Sequence, residues 1–184
     1  MKKNSILLTM LLLMSTLFIT SCATNQFDGD PLETVESLDL ERYLGRWYEI
    51  ARFQSGFEKN IYGATAEYSV RKDGRIQVIN SGFKNSLDGK YTQVKAVAWR
   101  EDDNIPGALK VKFFSLFKSD YLVFGIDEEN YEWALVGNNN RSFIWFLSRT
   151  PEISDETLEM MKDIALEQGY DLTDLFFVPQ KERE

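Results

Sequence analysis

The chain has 184 residues, of which 43% are hydrophobic and 14% are aromatic, and this composition suits one globular domain with a substantial core. Its formal net charge of −8 opposes contact with phosphate backbones, so no nucleic-acid partner is predicted. The sequence contains no histidine, which excludes Ser-His-Asp and Cys-His catalysis, imidazole-ligated haem and the usual zinc sites. We therefore predict a protein that is not an enzyme and that has no catalytic residues, metal site or cofactor.

The amino terminus has the pattern of an exported protein. Two lysines precede an apolar run from Ile6 to Ile19, which is shorter than the ~20 residues of a membrane-spanning helix but typical of a secretory signal. The run ends at Ser21-Cys22, which resembles the bacterial lipobox, where cleavage precedes a cysteine that is then lipidated. We predict a signal peptide at residues 1–21, and we interpret Cys22 as a lipidation site because the sequence has no second cysteine with which it could pair.

Residues 22–37 are polar and show no apolar periodicity, so we predict a lipidated tether there and a folded domain at 38–184. Several acyl chains hold a protein firmly, which predicts a lasting membrane anchor on Cys22. In the lipoprotein sorting pattern an aspartate after the cysteine retains the protein at the inner membrane. Ala23 occupies that position, which indicates the outer membrane.

The domain is predicted to be mostly β-structure, after a short helical turn at 38–44. Apolar and polar residues alternate with period two from Gly63 to Val70, and Asp73-Gly74 is a hairpin signal. Similar runs predict eight strands, at about 45–53, 63–70, from 76, 90–100, 109–113, 121–126, 133–137 and 143–149. The connection 54–62 contains Phe57 and is either a lid over a barrel mouth or an ordinary loop. Eight antiparallel strands in which each strand pairs with the next one along the chain can close into a barrel that holds one small ligand.

A helix is predicted after the last barrel strand. Ser154 is a suitable N-cap and Gly169 a suitable C-terminal stop. An apolar stripe on this helix is expected to cover apolar outward positions of the barrel; the stripe comprises Leu158, Met161, Ile164 and Ala165, and the outward positions comprise Ile50, Phe124, Ile126, Leu135, Ile144 and Phe146. The segment Leu175 to Val178 is expected to add a short ninth strand beside the first.

Two motifs resemble those of the lipocalin family. Gly45-x-Trp47 is followed by Tyr48 to Arg52, and Leu147 to Pro151 precedes the helix. The similarity is greatest to the bacterial outer-membrane lipocalins and extends to apolipoprotein D. At the position of the family's middle motif this sequence has Gly125-Ile126-Asp127, which keeps only the aspartate of that motif. The resemblance implies an all-β, eight-stranded antiparallel up-and-down barrel with one C-terminal α-helix packed on its outside.

If Trp47 and Arg149 point inward, Arg149 can stack on the indole and close the barrel floor together with Gly45. Glu49, also inward, is expected to pair with Arg149. The same alternation gives inward positions that are predicted to contact a ligand: Ala66, Tyr68, Ile76, Val78, Val94, Ala96, Leu109, Val111, Phe113, Tyr121, Val123, Val136, Phe143 and Trp145. The alternative is that these side chains meet and fill the barrel. An open cavity is what the resemblance implies.

An apolar cavity selects an apolar tail, so we predict binding, storage or transport of a long-chain fatty acid or lysophospholipid in the cell envelope. The polar head is expected at the mouth, within reach of Tyr68 or Tyr121. Two alternatives remain: a structural or interaction lipoprotein with a filled barrel, and an isomerase of the kind found among a few lipocalins. The second has no thiol in the barrel to use, because Cys22 lies outside it. Some members of the family dimerise, so a homodimer is left open.

Overall fold

The computed structural model describes residues 30–56, 58–113 and 117–181. The predicted signal peptide, the predicted lipidation site Cys22 and Phe57 of the predicted lid lie outside these residues. Within them, no helix is both long enough and apolar enough to cross a membrane.

Nine strands and two α-helices make up the described domain. Helix α1 (Leu40–Tyr43) precedes the strands β1 (Gly45–Phe53), β2 (Ile61–Val70), β3 (Ile76–Lys84), β4 (Tyr91–Arg100), β5 (Ala108–Phe113), β6 (Phe117–Ile126), β7 (Trp133–Gly137) and β8 (Ile144–Ser148). Helix α2 (Asp155–Glu167), a 3₁₀ turn (Leu172–Asp174) and β9 (Leu175–Phe177) follow. The sheet order is β2-β3-β4-β5-β6-β7-β8-β1-β9, and β1 also pairs with β2. This extra pairing closes an eight-stranded antiparallel barrel, which confirms the predicted fold.

Two β-bulges reset the alternation on which the inward positions were predicted. One lies in β1 between Glu49 and Ala51, and the other lies in β6 between Val123 and Gly125. A bulge adds one residue to a strand, so the residues after it change faces. The prediction that Ile126 faces outward was therefore wrong, because Ile126 is buried inside the barrel in the same hydrophobic cluster as Trp47, which we call the inner core.

A second core lies between the barrel and α2. Ser154 caps α2 by accepting a hydrogen bond from the amide of Thr157, as predicted. Met161 and Ala165 of the apolar stripe are fully buried in this core, while Leu158 and Ile164 pack at its edge. On the barrel side the core contains the remaining predicted outward residues Ile50, Phe124, Leu135, Ile144 and Phe146. The predicted cover of the apolar side is confirmed.

The segment before α1 is attached to the barrel wall over its described part, residues 30–37. Leu32 is buried in the outer core, and its amide donates to the side chain of Asn139. The amide of Val35 donates to the carbonyl of Val123 at 3.0 Å. Residues 30–37 were predicted to belong to the tether, but they pack with the domain because two apolar residues, Leu32 and Val35, contact the barrel.

Strands β1 and β2 pair directly over only part of their length, so the barrel wall has a gap between them. The two strands are paired only from Gly45↔Tyr68 to Tyr48↔Thr65. Beyond that point β9 and the residues after it occupy the gap: Val178 donates to the carbonyl of Ile50, and Gly63 donates to that of Pro179. The side-chain amide of Gln180 donates both to Glu49 O at 2.6 Å and to Ala64 O at 2.9 Å. We call this gap, with its filling residues 178–180, the seam.

Candidate functional site

The barrel encloses a cavity of about 660 Å³, which lies within the roughly 300–1,000 Å³ of small-molecule sites. The barrel is therefore hollow and not filled. Its lining comprises Glu49, Glu58, Ile61, Ala64, Ala66, Tyr68, Val78, Asn80, Ser81, Gly82, Lys84, Thr92, Gln93, Val94, Val111, Phe113, Ser119, Asp120, Tyr121, Val136, Phe143, Trp145 and Leu147. Apolar side chains form most of this wall, and polar ones concentrate on β3, on β4, at the start of β6 and beside the seam.

Most of the residues predicted to contact a ligand line the cavity. The lining includes Ala66, Tyr68, Val78, Val94, Val111, Phe113, Tyr121, Val136, Phe143 and Trp145. Four predicted residues do not line it, namely Ile76, Ala96, Leu109 and Val123; they are buried in the inner core instead. These four point inward as predicted, but facing walls meet around them. Contact of the lining residues with a ligand remains a prediction.

The floor of the barrel is built around Trp47, which is fully buried. The guanidinium of Arg149 lies 3.8 Å from the centre of the indole ring, so the predicted stacking is present. Arg149 also donates to the backbone carbonyls of Tyr131, Arg46 and Arg42. Gly45 lies beside it with φ +91°, a conformation that disfavours any residue with a Cβ. The stacked pair thereby joins β8 to β1 and to the helical turn below it.

Three tyrosines lie between the floor and the cavity. The hydroxyl of Tyr121 is 2.6 Å from that of Tyr43 and 2.7 Å from that of Tyr68. The ring of Tyr43 lies 5.1 Å from that of Trp47. Burial raises the pKa of all three hydroxyls, so they are neutral at physiological pH. The expectation that Tyr68 or Tyr121 meets a polar head at the mouth was wrong, because their hydroxyls bond to each other deep in the barrel.

The wall beside the seam contains a buried ionic cluster. Nη1 of Arg52 donates to Glu49 Oε2 at 3.1 Å, and Nε of Arg52 is 3.9 Å from Glu58 Oε2. The expected partner of Glu49 was Arg149, so that expectation was wrong. The bulge in β1 turns Arg52 inward beside Glu49, while Arg149 is engaged at the floor. Trp145 and Ser55 each donate a hydrogen bond to the carboxylate of Glu58.

The ionic cluster changes how these acids ionise. Burial raises the pKa of Glu49 to about 8, with a further increase from the negative charge of Glu58, although Arg52 opposes both effects. Burial also raises the pKa of Glu58, again against the effect of Arg52. At neutral pH the two carboxyl groups therefore hold a proton that exposed glutamates would have lost. Sequence reasoning missed Arg52 and Glu58 because the bulge was not visible, and Glu58 follows the strand.

Other polar lining residues were recoverable from the sequence. Asn80 continues the inward series of Ile76 and Val78 on β3, and Thr92 precedes Val94 on β4 by two residues. Both positions were omitted because the prediction selected apolar residues. Lys84 at the end of β3 is exposed, so it lies at the open end of the cavity. No cluster of three acids or other metal-binding side chains occurs in the part of the chain that the structure describes.

A closed barrel with a sealed floor, an open mouth and a largely apolar interior defines the class of proteins that hold a small apolar molecule inside a β-barrel. Residues 38–180 match the family described as "Lipocalin-like domain", and the chain belongs to this family. The predicted resemblance is thereby confirmed over nearly the whole described domain.

Individual relatives cover most of the chain. Outer membrane lipoprotein Blc of Vibrio cholerae is 36% identical over 172 residues, which cover 91% of this chain and 100% of that protein. The protein of the same name from Escherichia coli K12 is 42% identical over 146 residues, with 79% and 81% covered. Apolipoprotein D of Mus musculus is 36% identical over 179 residues, with 90% and 92% covered. Insecticyanin of the tobacco hornworm Manduca sexta has the same fold, with a TM-score of 0.67 at 16% identity over 83% of this chain and 86% of that one.

Proposed function

We propose that the chain is a lipid-binding protein that holds a long-chain fatty acid or lysophospholipid with its tail inside the barrel. The hollow, mostly apolar cavity of about 660 Å³ carries this proposal. A tail that buries roughly 14 methylenes at about 0.8 kcal/mol each gains roughly 11 kcal/mol before the costs of ordering. Affinity in the micromolar range or better is expected after those costs. The role is binding and transport or storage, with no catalytic step.

The proposed location is the outer membrane, with an acyl anchor on Cys22. The sequence pattern around Cys22 supports this anchor, and so do the names of the relatives from Vibrio cholerae and Escherichia coli, which are outer membrane lipoproteins. Mass spectrometry of the membrane-extracted protein tests the anchor, because an acylated Cys22 becomes the first residue and adds the mass of its chains. A chain that begins at Met1 with an unmodified Cys22 would contradict it.

Lipid occupancy is tested by native mass spectrometry and lipid extraction of protein purified from its own membrane. Ala66 is buried and lines the cavity, so Ala66→Trp should fill the space and reduce occupancy strongly. Lys95→Trp adds the same ring on the exposed face of β4 and serves as the matched control. We expect bound lipid in the wild type and in Lys95→Trp. The absence of any lipid, together with no affinity for fatty acids or lysolipids, would refute the proposal.

A further inference from the structure

The wall of the cavity beside the seam presents two buried carboxyl groups. Glu49 and Glu58 both line the cavity, and they are only 4% and 9% exposed. Buried charges are costly unless they are paired, so their presence here calls for an explanation. Arg52 is the one partner cation beside them, and it balances one of the two charges.

Two of the three guanidinium nitrogens of Arg52 donate to protein acceptors, and the third, Nε, lies 3.9 Å from Glu58 Oε2 with no hydrogen bond. Nη1 donates to Glu49, and Nη2 donates at 2.9 Å to the backbone carbonyls of Glu58 and Ile61. The Arg52 side chain is fully buried and is not part of the cavity lining. An incoming head group therefore meets the carboxyl groups of Glu49 and Glu58 at this level, while the guanidinium of Arg52 does not line the cavity and is already paired with Glu49.

The other charged groups near the cavity do not change this. Asp120 forms an ion pair with Lys110 and accepts a hydrogen bond from Asn139. Tyr68 is neutral and bonded to Tyr121. Among the described lining residues, Lys84 is the one cation, and it is exposed at the open end. A carboxylate or phosphate placed beside Glu49 and Glu58 would thus meet negative charge, and the guanidinium of Arg52 next to them is already paired with Glu49.

Aromatic rings complete the same wall. The indole nitrogen of Trp145 donates to Glu58 Oε1 at 3.2 Å, which fixes the ring next to the carboxylate. The ring of Phe143 is parallel to the ring of Trp145, at 5.7 Å between centres, and both residues line the cavity. Ring faces attract cations, more strongly where water is excluded. Carboxylates and ring faces at one place are complementary to a positive charge.

We propose that Glu49 and Glu58, with the rings of Trp145 and Phe143, form a subsite that selects amphiphiles carrying an ammonium group over carboxylates with the same tail. This rests on the proposed lipid-binding function and narrows its ligand class, because it disfavours free fatty acids and favours lipids whose head group carries an ammonium group. An ammonium group supplies the positive charge that the two carboxylates lack, and its N–H groups donate to their free lone pairs.

Protonation gives the subsite a pH signature. The pKa of Glu49 is raised to about 8 by burial and by Glu58, against Arg52, so below about pH 8 Glu49 holds a proton. A bound ammonium group favours the ionised form and displaces that proton. Affinity for the ammonium ligand should therefore rise between about pH 6 and about pH 8, since an aliphatic amine stays charged up to about pH 10. Affinity for a carboxylate ligand should fall over the same interval.

The test compares dodecylamine, dodecanol and dodecanoate, which share one tail, by calorimetric titration of the purified protein at about pH 6 and about pH 8. We expect dodecylamine to bind at least about tenfold more tightly than dodecanoate at about pH 8. Glu49→Gln and Glu58→Gln should each reduce this ratio to about threefold or less. Glu67→Gln removes an exposed carboxylate from the outer face of β2 and should leave the ratio unchanged. A ratio of affinities does not depend on the folded fraction.

The outcomes are distinguishable. If dodecanoate binds as tightly as dodecylamine or more tightly, the subsite is refuted while lipid binding stands. If the preference exists but neither glutamine variant changes it, these glutamates are not its cause and the proposal is refuted. If none of the three ligands binds, the lipid-binding function itself fails. Should Glu49→Gln fail to fold, the wild-type comparison, its pH dependence and the less buried Glu58 still decide.

Discussion

Replacement of Arg149 by alanine tests whether the barrel floor stabilises the fold. The guanidinium donates to three carbonyls, at 3.1 Å to Tyr131, 2.9 Å to Arg46 and 2.6 Å to Arg42. Each such hydrogen bond contributes about 0.5–1.5 kcal/mol. Stacking on Trp47 at 3.8 Å adds about 0.5–1 kcal/mol for a group that is only half buried. We expect Arg149→Ala to lower the free energy of unfolding by about 3 kcal/mol, or the melting temperature by about 6–12 °C.

The assay is urea unfolding followed by tryptophan fluorescence, to which Trp47 contributes. Arg149→Lys keeps the charge but loses the planar fork of donors, so it should recover about 1 kcal/mol of the loss. Arg75→Ala is the matched control, because Arg75 forms an exposed ion pair with Asp73 and should change stability by less than about 0.5 kcal/mol. An unfolding midpoint for Arg149→Ala equal to that of Arg75→Ala would refute the stabilising role of the floor.

Three further predictions concern stability. The pKa of Glu49 is about 8 in the folded chain, above its ordinary value of 4.5, so the folded state binds a proton that the unfolded state loses first. The stability that this proton contributes is complete below about pH 4.5 and is lost as the pH rises through about 8. The free energy of unfolding in urea should therefore depend less on pH in Glu49→Gln than in the wild type. Met161→Ala should cost about 2–5 kcal/mol because Met161 is fully buried, whereas Met160→Ala, at a 40% exposed position, should cost under about 0.5 kcal/mol in the same assay. Gly137→Ala would place its Cβ 1.9 Å from the hydroxyl oxygen of Tyr170, so thermal unfolding should show a loss of about 1–3 kcal/mol.

The overall fold was accessible from the sequence because its signals are local. Period-two alternation located the strands, and β1 and β7 have the predicted bounds. Ser154 identified the start of α2 because an N-cap side chain bonds to an amide only three residues away. The family motifs then ordered these elements into a barrel. Each of these inferences needs only neighbouring residues or a pattern shared by the whole family.

The polar wall of the cavity was not accessible in the same way. The bulge at Glu49 depends on how β1 pairs with β8, and no residue within β1 marks it. Alternation alone would place Arg52 on the outer face of β1, and it gave Glu49 the wrong partner. The depth of an inward residue also depends on strand tilt and on the facing wall. Ile76 and Val78 lie on the same face of β3, yet only Val78 reaches the cavity.

The seam also constrains how the protein folds. Gln180 holds the backbone of Glu49 and of Ala64, partners that are 131 and 116 residues away along the chain. Contacts between such distant residues are the slowest to form, because the chain must lose much of its freedom before they add stability. The side wall of the cavity can therefore close only after segments more than one hundred residues apart have met, a demand on the speed of folding that the neighbouring hairpins do not make.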